Sequence, residues 1–204
     1  MATVYITDWE EFTNALVNDI TEDTTYEIQN DIDASSTPIE SVISITGNKT
    51  SSSEQFTKTF NGNGHKIDGI TSYLNNTNSS LIMFDLEYVS SAARYGHNFI
   101  FNDIHFTNIM SESIGLFTFH GYSHGSLRTT YTFNRCFFSG LCYRLFYSDG
   151  DVSGGATLNK CSVNAKVYSY CNGTVQHNYC YCLINPYRAT CSWGSYGYYN
   201  SIIT

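Results

Sequence analysis

The chain has 204 residues, with 18 acidic against 10 basic side chains and a formal charge of −8. That length fits one domain with a long, narrow core, and the acidic balance argues against a nucleic-acid binder, which needs a basic face. Charged residues are only 14%, Pro numbers 2, and Tyr (17) and Phe (13) are plentiful, the composition of an all-β protein.

The first residues, MATVYITDWEEF, carry neither a basic start nor an apolar run of signal-peptide length. No stretch has the length and apolarity of a membrane span. The expectation is a chain made in a reducing cytoplasm without membrane insertion. Residues 7–18, TDWEEFTNALVN, read as a helix. Thr7 or Asp8 caps it, Glu10 or Glu11 completes a capping box, and Trp9, Phe12 and Leu16 share one face. Residues 25–34, TYEIQNDIDA, read as a first strand pair.

From there one pattern recurs. FIFNDIHF (99–106) places apolar residues at Phe99 and Phe101, then slips by one so that the next are Ile104 and Phe106. A straight strand of period two cannot bury all four. YTFNRCFF (131–138), ATLNKCSV (156–163) and VQHNYCYC (175–182) repeat the form, and FNGNGHKI (60–67) begins it. Asn tolerates the left-handed backbone region, so the expected corners are Asn63, Asn102, Asn134, Asn159 and Asn178, at intervals of 39, 32, 25 and 19 residues. Between corners lie further apolar runs at 79–88, 112–121, 142–150 and 165–173. Strand, corner, strand, repeated, predicts a right-handed parallel β-helix of about five coils. Residues 1–24 form its N-terminal cap, 25–185 its coils and 186–204 an aromatic C-terminal cap or partner-contacting tail. Equivalent residues then stack about 4.8 Å apart. The five asparagines form an amide ladder, Ile104, Cys136, Cys161 and Cys180 stack inside, and Asp103, Arg135 and Lys160 stack outside.

The seven cysteines lack zinc-ligand spacing and read as small buried thiols filling a narrow core. Neither metal nor cofactor is expected. A glycosidase needs two carboxyl groups at a suitable separation, and none is evident. Asp103 stacks on Arg135, Asp85 aligns with Phe119 and Ser148, Asp68 has no acidic neighbour in register, and Asp149 and Asp151 flank a turn. His120 and His124 lie in a Gly- and Ser-containing loop rather than on a helix. No catalytic residue is assigned. The surplus of tyrosines is more informative, because they cannot all fit inside a narrow solenoid. Tyr122, Tyr143, Tyr147, Tyr168, Tyr187, Trp193, Tyr196, Tyr198 and Tyr199 are candidate contacts to a partner or glycan.

The order W-x-E-F-x-x-A-L (9–16), N-D-I-D-A (30–34) and T-F-N-G-N-G-H-K-I-D-G-I (59–70) resembles the opening of adhesin-like β-helices, and is similar to pectate-lyase-like and phage tailspike proteins. SIGLFTF (113–119) resembles the G-L-F strand of adhesin-like repeats. The resemblance implies the fold, and with the missing catalytic constellation it suggests a structural or adhesive component of a bacteriophage virion: head decoration, head fibre or tail appendage. The expected partners are further copies of the chain, a trimer being favoured, other virion proteins and a host surface glycan. The alternatives are a carbohydrate-binding or polysaccharide-degrading β-helix and a bacterial surface adhesin.

Overall fold

The computed structural model describes residues 2–18, 20–38, 43–44, 56–72, 82–85, 98–111, 117–120, 130–149, 155–172, 174–186, 197–199 and 202–203. In chain order the elements are β1 (Ala2–Ile6), α1 (Trp9–Val17), β2 (Thr24–Ile28), β3 (Ile32–Asp33), β4 (Ile43–Ser44), β5 (Thr57–Asn61), β6 (Lys66–Asp68), β7 (Thr71–Ser72), β8 (Ile82–Asp85) and β9 (Asn98–Asn102). They continue with β10 (His105–Ser111), β11 (Phe117–His120), β12 (Thr130–Asn134), β13 (Phe137–Asp149), β14 (Gly155–Asn159), β15 (Ser162–Asn172), β16 (Thr174–Asn178), β17 (Tyr181–Pro186), β18 (Gly197–Tyr199) and β19 (Ile202–Ile203). Every strand pairing among them is parallel, as a solenoid requires.

The first sheet stacks eight strands in the order β1-β2-β5-β9-β12-β14-β16-β18. The second runs β19-β17-β15-β13-β10-β6-β3, with a branch through β11, β8 and β4. Eight strands exceed the five coils expected. The excess lies in β1, β2 and β18, which carry Tyr5, Glu27 and Tyr199 at the register position of the ladder asparagine. The helix is capped by Asp8, whose side chain accepts from the Glu11 amide at 2.8 Å, and Glu11 reaches back to the Thr7 amide at 2.7 Å. Trp9, Phe12, Ala15 and Leu16 are its buried face. It has no basic residue in its last turn. Lys58, fully buried on β5, supplies that cation: its Nζ donates to the carbonyls of Ala15 and Leu16, each at 2.9 Å, and to that of Asn18. A cation there satisfies orphan carbonyls and opposes the negative end of the helix dipole.

Columns of like residues fill the core. Tyr26, Phe60, Phe101 and Phe133 stack face to face at centroid separations of 4.7, 5.1 and 5.0 Å, close to the spacing between paired strands. Leu158 and the buried ring of His177 continue that column. Ile104, Cys136, Cys161 and Cys180 stack inside as expected, each at most 3% exposed.

The corners differ from expectation in two respects. The residue that takes the left-handed conformation follows the ladder asparagine: Asp103, Arg135, Lys160 and Tyr179 have φ of 53° to 56°. The asparagine itself ends the strand, which keeps its amide in line with its neighbours. The strained residue is held because its own N–H bonds the next coil, as Asp103 does to the Asn134 carbonyl at 2.9 Å and Arg135 to the Asn159 carbonyl at 2.8 Å. The second correction concerns Asn63. It is left-handed (φ 54°), but the ladder runs through Asn61, the register partner of Asn102. Gly62-Asn63-Gly64-His65 makes this corner two residues longer than the later ones, and Asn63 donates to Glu27 Oε2 at 3.1 Å instead.

Candidate functional site

Alternation along the second sheet puts every other residue of β6, β10, β13, β15 and β17 outside. One outer column reads Lys66, His105, Phe137, Ser162, Tyr181, and another reads Thr71, Met110, Leu141, Lys166. A third carries Ser139, Asn164 and Leu183. The composition changes along the axis. Over the early coils the face is polar: Asp31, Asp33, His65, Lys66, Thr107 and Asn108. Further along, exposed apolar side chains lie in two groups, Met110 and Leu141 (each 47% exposed) on neighbouring β10 and β13, and Tyr181 and Leu183 (50% and 44%) on β17, with Ser162, Asn164 and Lys166 of β15 between them; Tyr179, 62% exposed, stands at the corner before β17. Phe137 is half-buried beside them, with the His105 ring packed against it edge-on at 6.0 Å. A cluster of exposed large apolar side chains on one sheet face marks an interaction surface.

The polar part also holds its acids in fixed roles. Asp33 and Asp68 are register partners on adjacent coils, so Asp68 does have an acidic neighbour. Asp68 Oδ1 accepts from Asn108 Nδ2 at 2.8 Å and from the Thr107 hydroxyl. Asp33 is held below the usual carboxylate range chiefly by its bond from the Ser35 side chain, and Asp31 chiefly by the Lys66 amide. Asp103 is lowered most by the Arg135 guanidinium, which it meets in a two-pronged pair at 2.6 and 2.5 Å. Each of these shifts is downward. A general acid in glycoside cleavage needs a carboxyl whose pKa is raised. Asp85 pairs in register with His120, and His120 with Asp149, rather than with Phe119 and Ser148. Among the described residues no group of three His, Cys, Asp or Glu is arranged to hold a metal ion, and no helix is long and apolar enough to cross a membrane.

The buried thiols are chemically muted. Cys161 is pushed up to about 12, first by its hydrogen bond with Cys136, and Cys180 is raised by its bond with Cys161 and by burial. Their Sγ atoms donate to core carbonyls, Cys161 to that of Phe133 at 3.2 Å and Cys180 to that of Leu158 at 3.3 Å.

Of the aromatic residues singled out in the sequence, Tyr143 and Tyr147 lie on β13, Tyr168 on β15, and Tyr198 and Tyr199 on β18. Tyr122, Tyr187, Trp193 and Tyr196 lie outside the described residues. Tyr179, Tyr181, Met110, Leu141 and Leu183 were not singled out. For the four on strands the signal is positional, large apolar residues at alternate steps of strands whose other steps are core, whereas Tyr179 is the left-handed corner residue after β16.

A stacked parallel solenoid with an internal amide ladder defines a β-helix of the pectate-lyase-like kind. The family model described as "Putative pectate lyase-like adhesive domain" matches residues 3–136, and the chain belongs to that family. No curated protein and no solved structure matches the chain.

Proposed function

We propose that the protein is a non-enzymatic adhesive β-helix and that it works on the surface of a bacteriophage particle, as a head decoration, head fibre or tail appendage. The observation that carries the adhesive reading is the exposure of Met110 and Leu141, and of Tyr181 and Leu183 on the far side of the polar strand β15, on one outer sheet face. Such side chains present contact area without ordering long charged ones. The family's adhesive description and the downward-shifted carboxylates support the same reading. Assignment to a virion rests on the likeness of the opening motifs to phage appendages.

A double variant, Leu141→Lys with Leu183→Lys, tests the surface. Retained folding with binding to host cells or glycans reduced at least about tenfold is expected, the loss of one or two buried apolar anchors. Unchanged binding would dismiss this face as the adhesive one. Gold-labelled antibody on material from producing cells tests the location: label on particles supports the virion reading. Label on the cell envelope would favour a bacterial surface adhesin, a second reading that the adhesive family description also accommodates.

A further inference from the structure

The solenoid is electrically polarised along its axis. Residues 1–68 carry twelve acidic and three basic side chains, whereas residues 130–204 carry two acidic and five basic. Among the described residues, nine of those acids and two of the basic side chains lie in the coils at one end, and one acid and four basic side chains in the coils at the other. Asp8, Glu10, Glu11, Glu22 and Asp23 are all exposed around the first coil, and Lys160 and Lys166 are exposed on the late ones.

The acidic end is also an open strand edge. Among the described residues β1 pairs with β2 alone. Ala2 N–H donates to the Asp23 carbonyl and the Ile6 carbonyl accepts from Gln29 N–H, so the backbone groups of Ala2, Val4 and Ile6 point toward β2. In a parallel ladder alternate residues point to opposite sides, which leaves those of Thr3 and Tyr5 on the outer edge. Val4 heads the core column that continues through Tyr26 and Phe60, yet it is 43% exposed. A cavity of about 510 Å³ is lined by Val4, Ala15, Ile20 and Tyr26 together with Glu11 and Glu22. Among the described residues the same column runs on to Tyr198 at the other extremity, and the neighbouring ladder column to Tyr199.

We propose that a second copy of the chain docks here head to tail, its β18 adding in parallel to the outer edge of β1. Continuing the existing columns fixes the register: Tyr198 meets Val4 and Tyr199 meets Tyr5. The basic late coils of one copy then face the acidic first coil of the next. Such a contact is heterologous and does not close on itself, so it builds linear assemblies. It is independent of the adhesive reading, since the outer sheet face takes no part.

Sedimentation velocity on the full chain tests it, over roughly a hundredfold range of concentration and at low and high NaCl. The expected result is a mass that rises continuously with concentration and an association weakened at least about tenfold by high salt, because the attraction between the ends is screened. Tyr5→Pro removes an outer-edge N–H without touching the β1–β2 ladder. It is expected to keep the far-ultraviolet circular dichroism of the parent and to remain monomeric. Its C-terminal end is intact, so added to the parent chain it should shorten the assemblies in proportion to its amount. Glu10→Lys with Glu22→Lys should weaken association in the same assay. A monomer at every concentration, a closed trimer indifferent to salt, or a Tyr5→Pro chain that associates like the parent would each overturn the proposal.

Discussion

Gly140 is where the outer and inner demands of the second sheet collide. It lies on β13 opposite a bulge in β10, where the register jumps between Phe106 and Ile109 and Asn108 turns left-handed (φ 51°). Gly140 itself has φ of 135°, and a Cβ there would sit 2.2 Å from the Ile109 carbonyl oxygen and 2.4 Å from its nitrogen. Both contacts are backbone, so no side chain can swing away. Gly140→Ala therefore adds conformational strain of about 1–3 kcal/mol to an overlap relieved only by parting β10 from β13, for a total of about 4 kcal/mol or more. For a chain of this size that corresponds to a fall of roughly 8–16 °C in Tm. Gly64→Ala is the matched control: φ is 82°, but the added Cβ meets nothing within 4 Å. Only left-handed strain of about 1–2 kcal/mol remains, partly offset by a stiffer unfolded chain. Thermal unfolding followed by circular dichroism compares the two. Equal shifts would refute the claim that close backbone approach, rather than backbone conformation, makes Gly140 indispensable.

Asn134→Ala removes a bond to Asn102 Oδ1 and one from Asn159 Nδ2, both 2.8 Å. Denaturant titration should show about 2–3 kcal/mol lost through the two orphaned half-buried partners, and a loss below about 0.5 kcal/mol would mean that water replaces the rung freely. Burial lowers the pKa of His177 from 6.5 to about 4. The unfolded chain then binds the extra proton first, so stability is complete above pH 6.5 and falls as pH drops toward 4, by up to about 3 kcal/mol. His177→Leu, matching Leu158 one coil away, should abolish that slope, and an unchanged pH profile would contradict the assignment. Cys136, Cys161 and Cys180 should resist iodoacetamide at pH 8 in the native state and react on unfolding; native labelling at the rate of a free thiol would show that the core opens.

The ladder was legible because four strands end alike, in F-N, F-N, L-N and H-N, with a small or branched residue two places on. The F-N ending also marks Asn61, which closes T-K-T-F-N, although the residue two places on is Asn63. The two glycines beside Asn63 drew attention to the turn instead of to the strand end. β1 was not legible: ATVYI carries no asparagine at its close, and its place in the first sheet depends on pairing with a strand some twenty residues later. The run SLIMFDLEY contains no punctuation to fix its register, and a slip of one residue moves every side chain to the opposite face. That is why Asp85 was set against Phe119 when its partner is His120. The exposed apolar residues of the outer face are not legible from residue type, because exposure is decided by strand parity.

The amide column is directional as well as cohesive. Gln176 donates to Asn178, Asn178 to Asn159, Asn159 to Asn134, Asn134 to Asn102, Asn102 to Asn61, and Asn61 to the Glu27 carboxylate at 2.7 Å. Every side-chain dipole therefore points the same way, and the positive end of the row meets an anion, as at a helix N-terminus. A carboxylate has no hydrogen to pass on, so Glu27 is a stop: the row can lengthen only by adding amides on the late-coil side. Turning one amide over would set donor against donor on one flank and acceptor against acceptor on the other. The solenoid thus carries a one-way wire with a fixed terminus, and coils duplicated within it would have to arrive in the same orientation to be conducted into the row.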